Sequence, residues 1–191
     1  MSTLPTHSSA DRLLTAEEFF ALPGDGPPAE LVRGQVEAME VPGSRHGHFC
    51  NLIGRLLGNF VEAHDLGYVL GNDSGVVTAR SPDSVRGPDI AYFSYSRMPK
   101  GKLPIGYPAV APELVFEVLS PTDRWKDVLA KVSEFLQAGV LMVVVVDPAR
   151  ETIVVHDADQ PASILVAGQS LTLPDLLPGF ELPVDRLFPK T

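Results

Sequence analysis

Acidic side chains set among apolar residues demand a chemical explanation in this sequence. Glu117 stands in Pro112-Glu-Leu-Val-Phe-Glu-Val-Leu-Ser-Pro121, surrounded by Leu114, Val115, Phe116, Val118 and Leu119. An ionised carboxylate there is costly unless a cation or hydrogen-bond donor faces it. A strand end paired with an arginine would meet that need, and so would a functional site, where perturbed carboxylates gather. Asp89, in Arg86-Gly-Pro-Asp-Ile-Ala-Tyr-Phe93, repeats the theme. Pro-Asp before a strand is by itself an ordinary turn feature. Two carboxylates on neighbouring strands can nevertheless converge on a hard divalent cation, since Mg²⁺ takes oxygen ligands and commonly one or two carboxylates plus water.

Lys131 supplies a third element. A helix opening at Asp123 buries Val128, Leu129, Val132, Phe135 and Leu136 by its periodicity, and Lys131 falls at the border of that arc, roughly 40° from Phe135 at about 100° per residue. It can reach under the helix toward a sheet, or pair on the surface with Asp127 at i, i+4. Glu30, in Ala29-Glu-Leu-Val-Arg-Gly34, sits at the start of a hairpin strand, where an exposed edge acid is the plain alternative. His46 and His48 lie near a helix start that Ser44 could cap, and their i, i+2 spacing points them to different faces, so they make no ready zinc pair. His46 could contact a phosphate or simply be solvated.

The elements that must position these groups follow from local pattern. Thr15-Ala-Glu-Glu18 predicts a capping box and a short helix, stopped by Pro23-Gly-Asp-Gly-Pro-Pro28. Strands are expected at Ala29–Val32 and Gln35–Met39, joined as a hairpin at Arg33-Gly34. From Ser44 to Ala63, residues Phe49, Leu52, Ile53, Leu56, Leu57 and Phe60 have helical spacing on one face. Further strands are expected near Tyr68–Leu70, Gly75–Ala79, Asp89–Phe93 and Glu113–Leu119, and the helix from Asp123 should end at Gly139. Val140–Val146 is short and rich in β-branched residues, so it reads as a strand buried on both faces. Thr152–His156 and Ser163–Val166 extend it as an antiparallel meander. This order argues for a mixed α/β sheet with helices packed on it.

Composition narrows the function. The chain has 191 residues, 45% of them apolar and 20% charged, enough for one domain with its own core. We expect a flexible segment over residues 1–14 and a single domain over 15–191. The formal charge is −9, which argues against a broad basic face collecting phosphates. The charge is uneven, however. Arg80, Arg86, Arg97, Lys100 and Lys102 face only Asp83 and Asp89 in their stretch, so any contact with DNA would be local. No apolar run approaches the roughly 20 residues of a membrane span, and no basic, apolar leader is visible, so a cytoplasmic location is expected. With one cysteine, Cys50, neither an intrachain disulfide nor a cysteine-based zinc site is expected. Dinucleotide and phosphate-binding glycine loops, His-Glu-x-x-His and Gly-x-Ser-x-Gly are all missing.

The ordered set Glu30-Leu-Val-Arg-Gly34, His46, Pro88-Asp89, Phe116-Glu-Val-Leu-Ser-Pro121, Asp127 with Lys131, Ala138-Gly-Val140 and Val146-Asp-Pro148 resembles the Uma-type restriction endonuclease family, a branch of the PD-(D/E)XK nuclease-like superfamily. The likeness runs from about Thr15 to Phe188. It implies a restriction-endonuclease-like α/β fold, a mixed sheet flanked by helices, and metal-dependent phosphodiester hydrolysis. Asp89, Glu117, Lys131 and Glu30 match the family's catalytic positions, Asp89 and Glu117 being the ligands for Mg²⁺ or Mn²⁺. His46, Arg86 and Asp127 are candidate substrate contacts. The superfamily usually has its lysine two residues after the second acid. Leu119 stands there, so the lysine has moved to the next helix, as is usual in this branch. The sequence also departs from the family at Leu141–Val146, where an aromatic pair is common, and at Phe135, often tyrosine.

Two functions are therefore expected to compete. One is a Mg²⁺- or Mn²⁺-dependent endonuclease acting on DNA, with a homodimer to address both strands. The other is a catalytically inactive nuclease-fold protein serving as a homodimeric interaction module.

Overall fold

A six-stranded mixed sheet is the centre of the computed structural model, which describes residues 12–189 of the chain. Chain order is α1 (Ala16–Phe20), β1 (Ala29–Val32), β2 (Gln35–Ala38), α2 (Ser44–Ala63), β3 (Gly67–Gly71), β4 (Val76–Ala79), β5 (Ser84–Arg86), β6 (Ile90–Ser94) and β7 (Leu114–Val118). It continues with α3 (Trp125–Gln137), β8 (Met142–Asp147), β9 (Thr152–Asp157), β10 (Ser163–Leu165), β11 (Ser170–Leu173), β12 (Leu177–Pro183) and α4 (Val184–Leu187). The large sheet has the order β10-β9-β8-β7-β6-β3, and its parallel pair is β7 with β8, joined across one face by α3. The fold is thus a mixed α/β single domain, as the patterns predict.

Side-chain alternation divides the core into two layers. On one face Leu114, Phe116 and Val118 of β7 and Val144 and Val146 of β8 pack beneath Phe49, Ile53, Leu57 and Val61 of α2. On the other, Val115, Val143 and Val145 meet Val132 and Phe135 of α3. Every residue from Val143 to Val146 is fully buried, which explains the continuous apolar run. Glu117 has the parity of Val115 and therefore belongs to the α3 face.

The expected hairpin forms, but within a separate four-stranded sheet of order β2-β1-β5-β4. Its β5 has three residues, too short for alternation to reveal. Leu31 and Val85 of this sheet pack on Ala16 of α1, whose Thr15 capping box is present. β11, β12 and α4, which local pattern leaves unassigned, close the α2 side through Leu171, Leu173, Phe180, Leu182 and Leu187.

Two expectations about α3 need correction. It begins at Trp125, because the Asp123 carboxylate accepts the Ser120 N–H at 2.7 Å and closes a turn ahead of the helix. Leu129 is exposed rather than buried. The buried arc of α3 is shifted toward Phe135, leaving Leu129 on its outer border and drawing Lys131 inward. Of the N-terminal segment expected to be flexible, residues 1–11 lie outside the described residues, and Leu14 donates its N–H to Gly34 O at 2.8 Å.

Candidate active site

Antiparallel register brings the two separated acids together. Ile90, the first residue of β6, pairs with Phe116 of β7, so Asp89, just ahead of β6, comes next to Glu117, near enough for its charge to raise the Glu117 carboxyl. Asp89 also completes the edge of β7, since its Oδ2 accepts the Val118 N–H at 2.6 Å. Lys131 reaches them from α3: its Nζ donates to Glu117 Oε2 at 3.1 Å and to Gly87 O at 3.1 Å, and lies 3.2 Å from Glu30 Oε1. These contacts displace the surface pairing with Asp127 that helical spacing also allowed. Glu30, Asp89, Glu117 and Lys131 all line one cleft of about 740 Å³, together with His46, Arg86 and Asp127.

The supporting charges form a chain. Glu134 grips the Arg86 guanidinium with both oxygens, at 2.6 and 2.8 Å, and Arg86 Nη1 donates to Glu30 Oε2 at 2.9 Å. Glu30 Oε1 accepts the Gly87 N–H at 2.8 Å and faces Lys131. Glu30 is therefore no solvated edge acid but a buried bridge between two cations. Arg86, expected as a substrate contact, is a tied structural cation with only 13% of its side chain exposed. Glu134 was not singled out in the sequence, although it lies three residues after Lys131 and so on an adjoining part of the helix surface.

The electrostatics of the acids diverge. Burial pushes Glu117 up to about 8, with the charge of Asp89 adding to the rise and Lys131 only partly opposing it. Its Oε1 is buried with no hydrogen-bond partner. Glu30 is also penalised by burial, yet Lys131, the Gly87 N–H and Arg86 hold it below the usual carboxylate range. Burial works against the Lys131 ammonium, but Glu117 and Glu30 more than compensate and raise its pKa.

His46 is not solvated. Its Nε2 lies 3.2 Å from Asp89 Oδ1, and this contact raises the imidazole pKa against the effect of burial. Cys50, one turn along α2, places Sγ 3.4 Å from His46 Nδ1, and burial pushes the thiol up. His46, Cys50 and Asp89 together bring three potential ligand atoms within 4.8 Å of one another. Asp73, which sequence reasoning passed over, also lines the cleft, and burial and Asp89 raise its carboxyl. It lies in an Asn-Asp-Ser turn that gives no sign of facing the acids. Asp127 is exposed and lines the cleft wall.

Comparison with known proteins gives a family and a fold for the chain. The model of the Uma2 family, described as "Putative restriction endonuclease", matches residues 16–185. A crystal structure from Anabaena variabilis ATCC 29413, described as a putative nuclease belonging to DUF820, shares the fold with a TM-score of 0.77. It is 22% identical, and the alignment covers 92% of this chain and 97% of that one. No curated protein matches the chain. No helix among the described residues is long and apolar enough to cross a membrane.

Proposed function

Because this chain belongs to the Uma2 restriction endonuclease family, we propose that its cleft hydrolyses phosphodiester bonds in DNA with the help of Mg²⁺ or Mn²⁺. The observation that carries the reading is Glu117: a buried carboxylate with one oxygen unpartnered, next to Asp89 and bonded to a lysine. A divalent cation fits this donor set, because both acids offer hard oxygen ligands and a cation would stabilise the ionised form that burial disfavours. Asp89 and Glu117 would hold the ion, which supplies Lewis acidity toward the scissile phosphate and eases deprotonation of the attacking water.

The protein's own groups do the rest. The Lys131 ammonium orients the water or offsets charge accumulating on the phosphate in the transition state. Glu30 and Gly87 O position that ammonium, and the Arg86–Glu134 pair positions Glu30. His46 fixes the Asp89 carboxylate from the α2 side. The cleft wall also carries Glu37, Glu40, Asp73, Asp123 and Asp127, so DNA would be engaged locally at the phosphate and not along a wide basic track. A symmetric pair of chains would bring one such site to each strand.

Nicking of supercoiled plasmid with Mn²⁺ tests the reading. The wild type should nick, and Asp89→Ala, Glu117→Ala and Lys131→Ala should each be slower by about a hundredfold or more. Equal rates from all four proteins would place the chemistry elsewhere. Absence of nicking from the wild type would favour the interaction module.

A further inference from the structure

Three unlike donors meet on the α2 side of the cleft. His46 and Cys50 are one turn apart and share a helix face, and Asp89 reaches them from the entry to β6. His46 Nε2 lies 3.2 Å from Asp89 Oδ1 and 3.8 Å from Cys50 Sγ. A tetrahedral zinc site has bonds of about 2.0–2.1 Å to nitrogen and oxygen and about 2.3 Å to sulfur, which sets ligand separations of roughly 3.3 Å for N···O and roughly 3.6 Å for N···S. The N···O separation matches and the N···S separation is close, but Sγ also lies 3.4 Å from Nδ1, beside the ring, so the imidazole must turn for Nε2 and Sγ to face one ion; all three donor atoms already lie within 4.8 Å of one another.

The donor types also choose the ion. Thiolate and imidazole favour borderline-soft transition metals, whereas Mg²⁺ seeks oxygen alone. We propose that His46, Cys50 and Asp89 form a second metal site for a thiophilic divalent ion of the Zn²⁺ class, exclusive of the oxygen-donor site because Asp89 Oδ2 is held by the Val118 N–H and leaves Oδ1 for one ion at a time. Three protein ligands leave a fourth position for water, the pattern of exchangeable rather than closed zinc sites. The Cys50 thiol releases its proton to solvent as the ion binds. Zinc bound there takes Asp89 from the hard ion and acts as an inhibitor. The exclusivity rests on the nuclease reading; the thiophilic site itself does not.

Co²⁺ titrated into the purified full-length chain is the probe. The expected result is a near-ultraviolet sulfur-to-cobalt charge-transfer band that saturates at one ion per chain and is erased by equimolar Zn²⁺. The chain has one cysteine, so Cys50→Ala must abolish the band. His46→Gln should weaken Co²⁺ binding at least about tenfold while the band persists at saturation. The site is overturned if the wild type gives no band, or if the midpoint is unchanged in both His46→Gln and Asp89→Asn, which would mean the cysteine binds alone. Excess Mn²⁺ should diminish the cobalt band; a band indifferent to Mn²⁺ in a protein that nicks with Mn²⁺ overturns the exclusivity. A normal cobalt band without nicking would retire the nuclease reading and leave the thiophilic site standing.

Discussion

Replacing Glu117 with glutamine should stabilise the metal-free protein at neutral pH while removing the nuclease activity proposed for it. Burial raises this carboxyl from 4.5 to about 8, and unfolding returns it to ordinary solvation. At about 1.4 kcal/mol per tenfold change in proton affinity, ionised Glu117 is on the order of 5 kcal/mol less favourable in the folded protein than in the unfolded chain. Below the unfolded value both states hold the proton and nothing is lost. As pH rises from there toward the folded value, only the unfolded chain ionises, so stability falls; above the folded value the loss is complete. Glutamine stays neutral throughout and its carbonyl can still accept from Lys131. Its amide would take the place of the unpartnered Oε1, a cost of about 1–3 kcal/mol that also burdens the protonated acid in part. The net gain at pH 7 is then roughly 2 kcal/mol, or roughly 4–8 °C in Tm for a domain of this size. Urea unfolding in EDTA at about pH 5, 7 and 8.5 should show a gap that widens with pH. Mn²⁺ should reverse the order by stabilising the wild type alone. A gap independent of pH, or a variant less stable at the highest pH, would refute the account of Glu117 as a carboxyl kept neutral by burial.

Two further substitutions examine the framework. Asp147 is 2% exposed; burial alone would raise its pKa, but Arg150 and the N–H groups of Arg150 and Ala149 hold it below the usual range. Its contribution is present above the unfolded value of 3.8 and is lost as pH falls through the lower folded value. Asp147→Asn should therefore cost about 2 kcal/mol at neutral pH and less in acid, as read by urea midpoints. Gly67→Ala would set a Cβ 2.0 Å from Phe93 O and 2.9 Å from Ser94 Cα, both backbone atoms. β3 must move away from β6, at a cost of about 3 kcal/mol or more. Hydrogen exchange should show protection lost first along β3, and unchanged exchange would contradict the close approach.

The parts of the fold that pattern made legible are those in which a single element carries a long signal. The apolar face of the 20-residue α2 recurs every turn from Phe49 to Val61, and the run ending at Val146 is too short for an average helix and rich in β-branched residues, so it reads as a strand shielded on both sides. β5 has three residues and β12 contains Pro178, Gly179 and Pro183, so neither offers an alternation to read. Their positions are fixed by neighbours: Leu31 against Val85, and Phe180 and Leu182 against α2. That is also why local pattern does not give the hairpin a sheet of its own. Its partner, β5, is visible only once the chain has folded back.

The site shows the same division between what types reveal and what pairing decides. An acid among apolar residues announces that it needs a partner, and Glu117 and Lys131 were legible in that sense. Arg86 illustrates the limit, because a basic residue in a locally basic stretch looks available to a phosphate until Glu134 and Glu30 are found to hold it. Satisfying Arg86 has a chemical consequence. With one guanidinium shared between Glu134 and Glu30, Glu30 remains ionised and holds Lys131 in place, so Lys131 need not spend all its donors on Glu117. One Glu117 oxygen is left without a donor. A buried carboxylate completed by arginine would be a structural ion pair, inert toward a metal. Here the second basic group is directed to a different acid, and the incompletely satisfied oxygen is what would let the proposed cation bind.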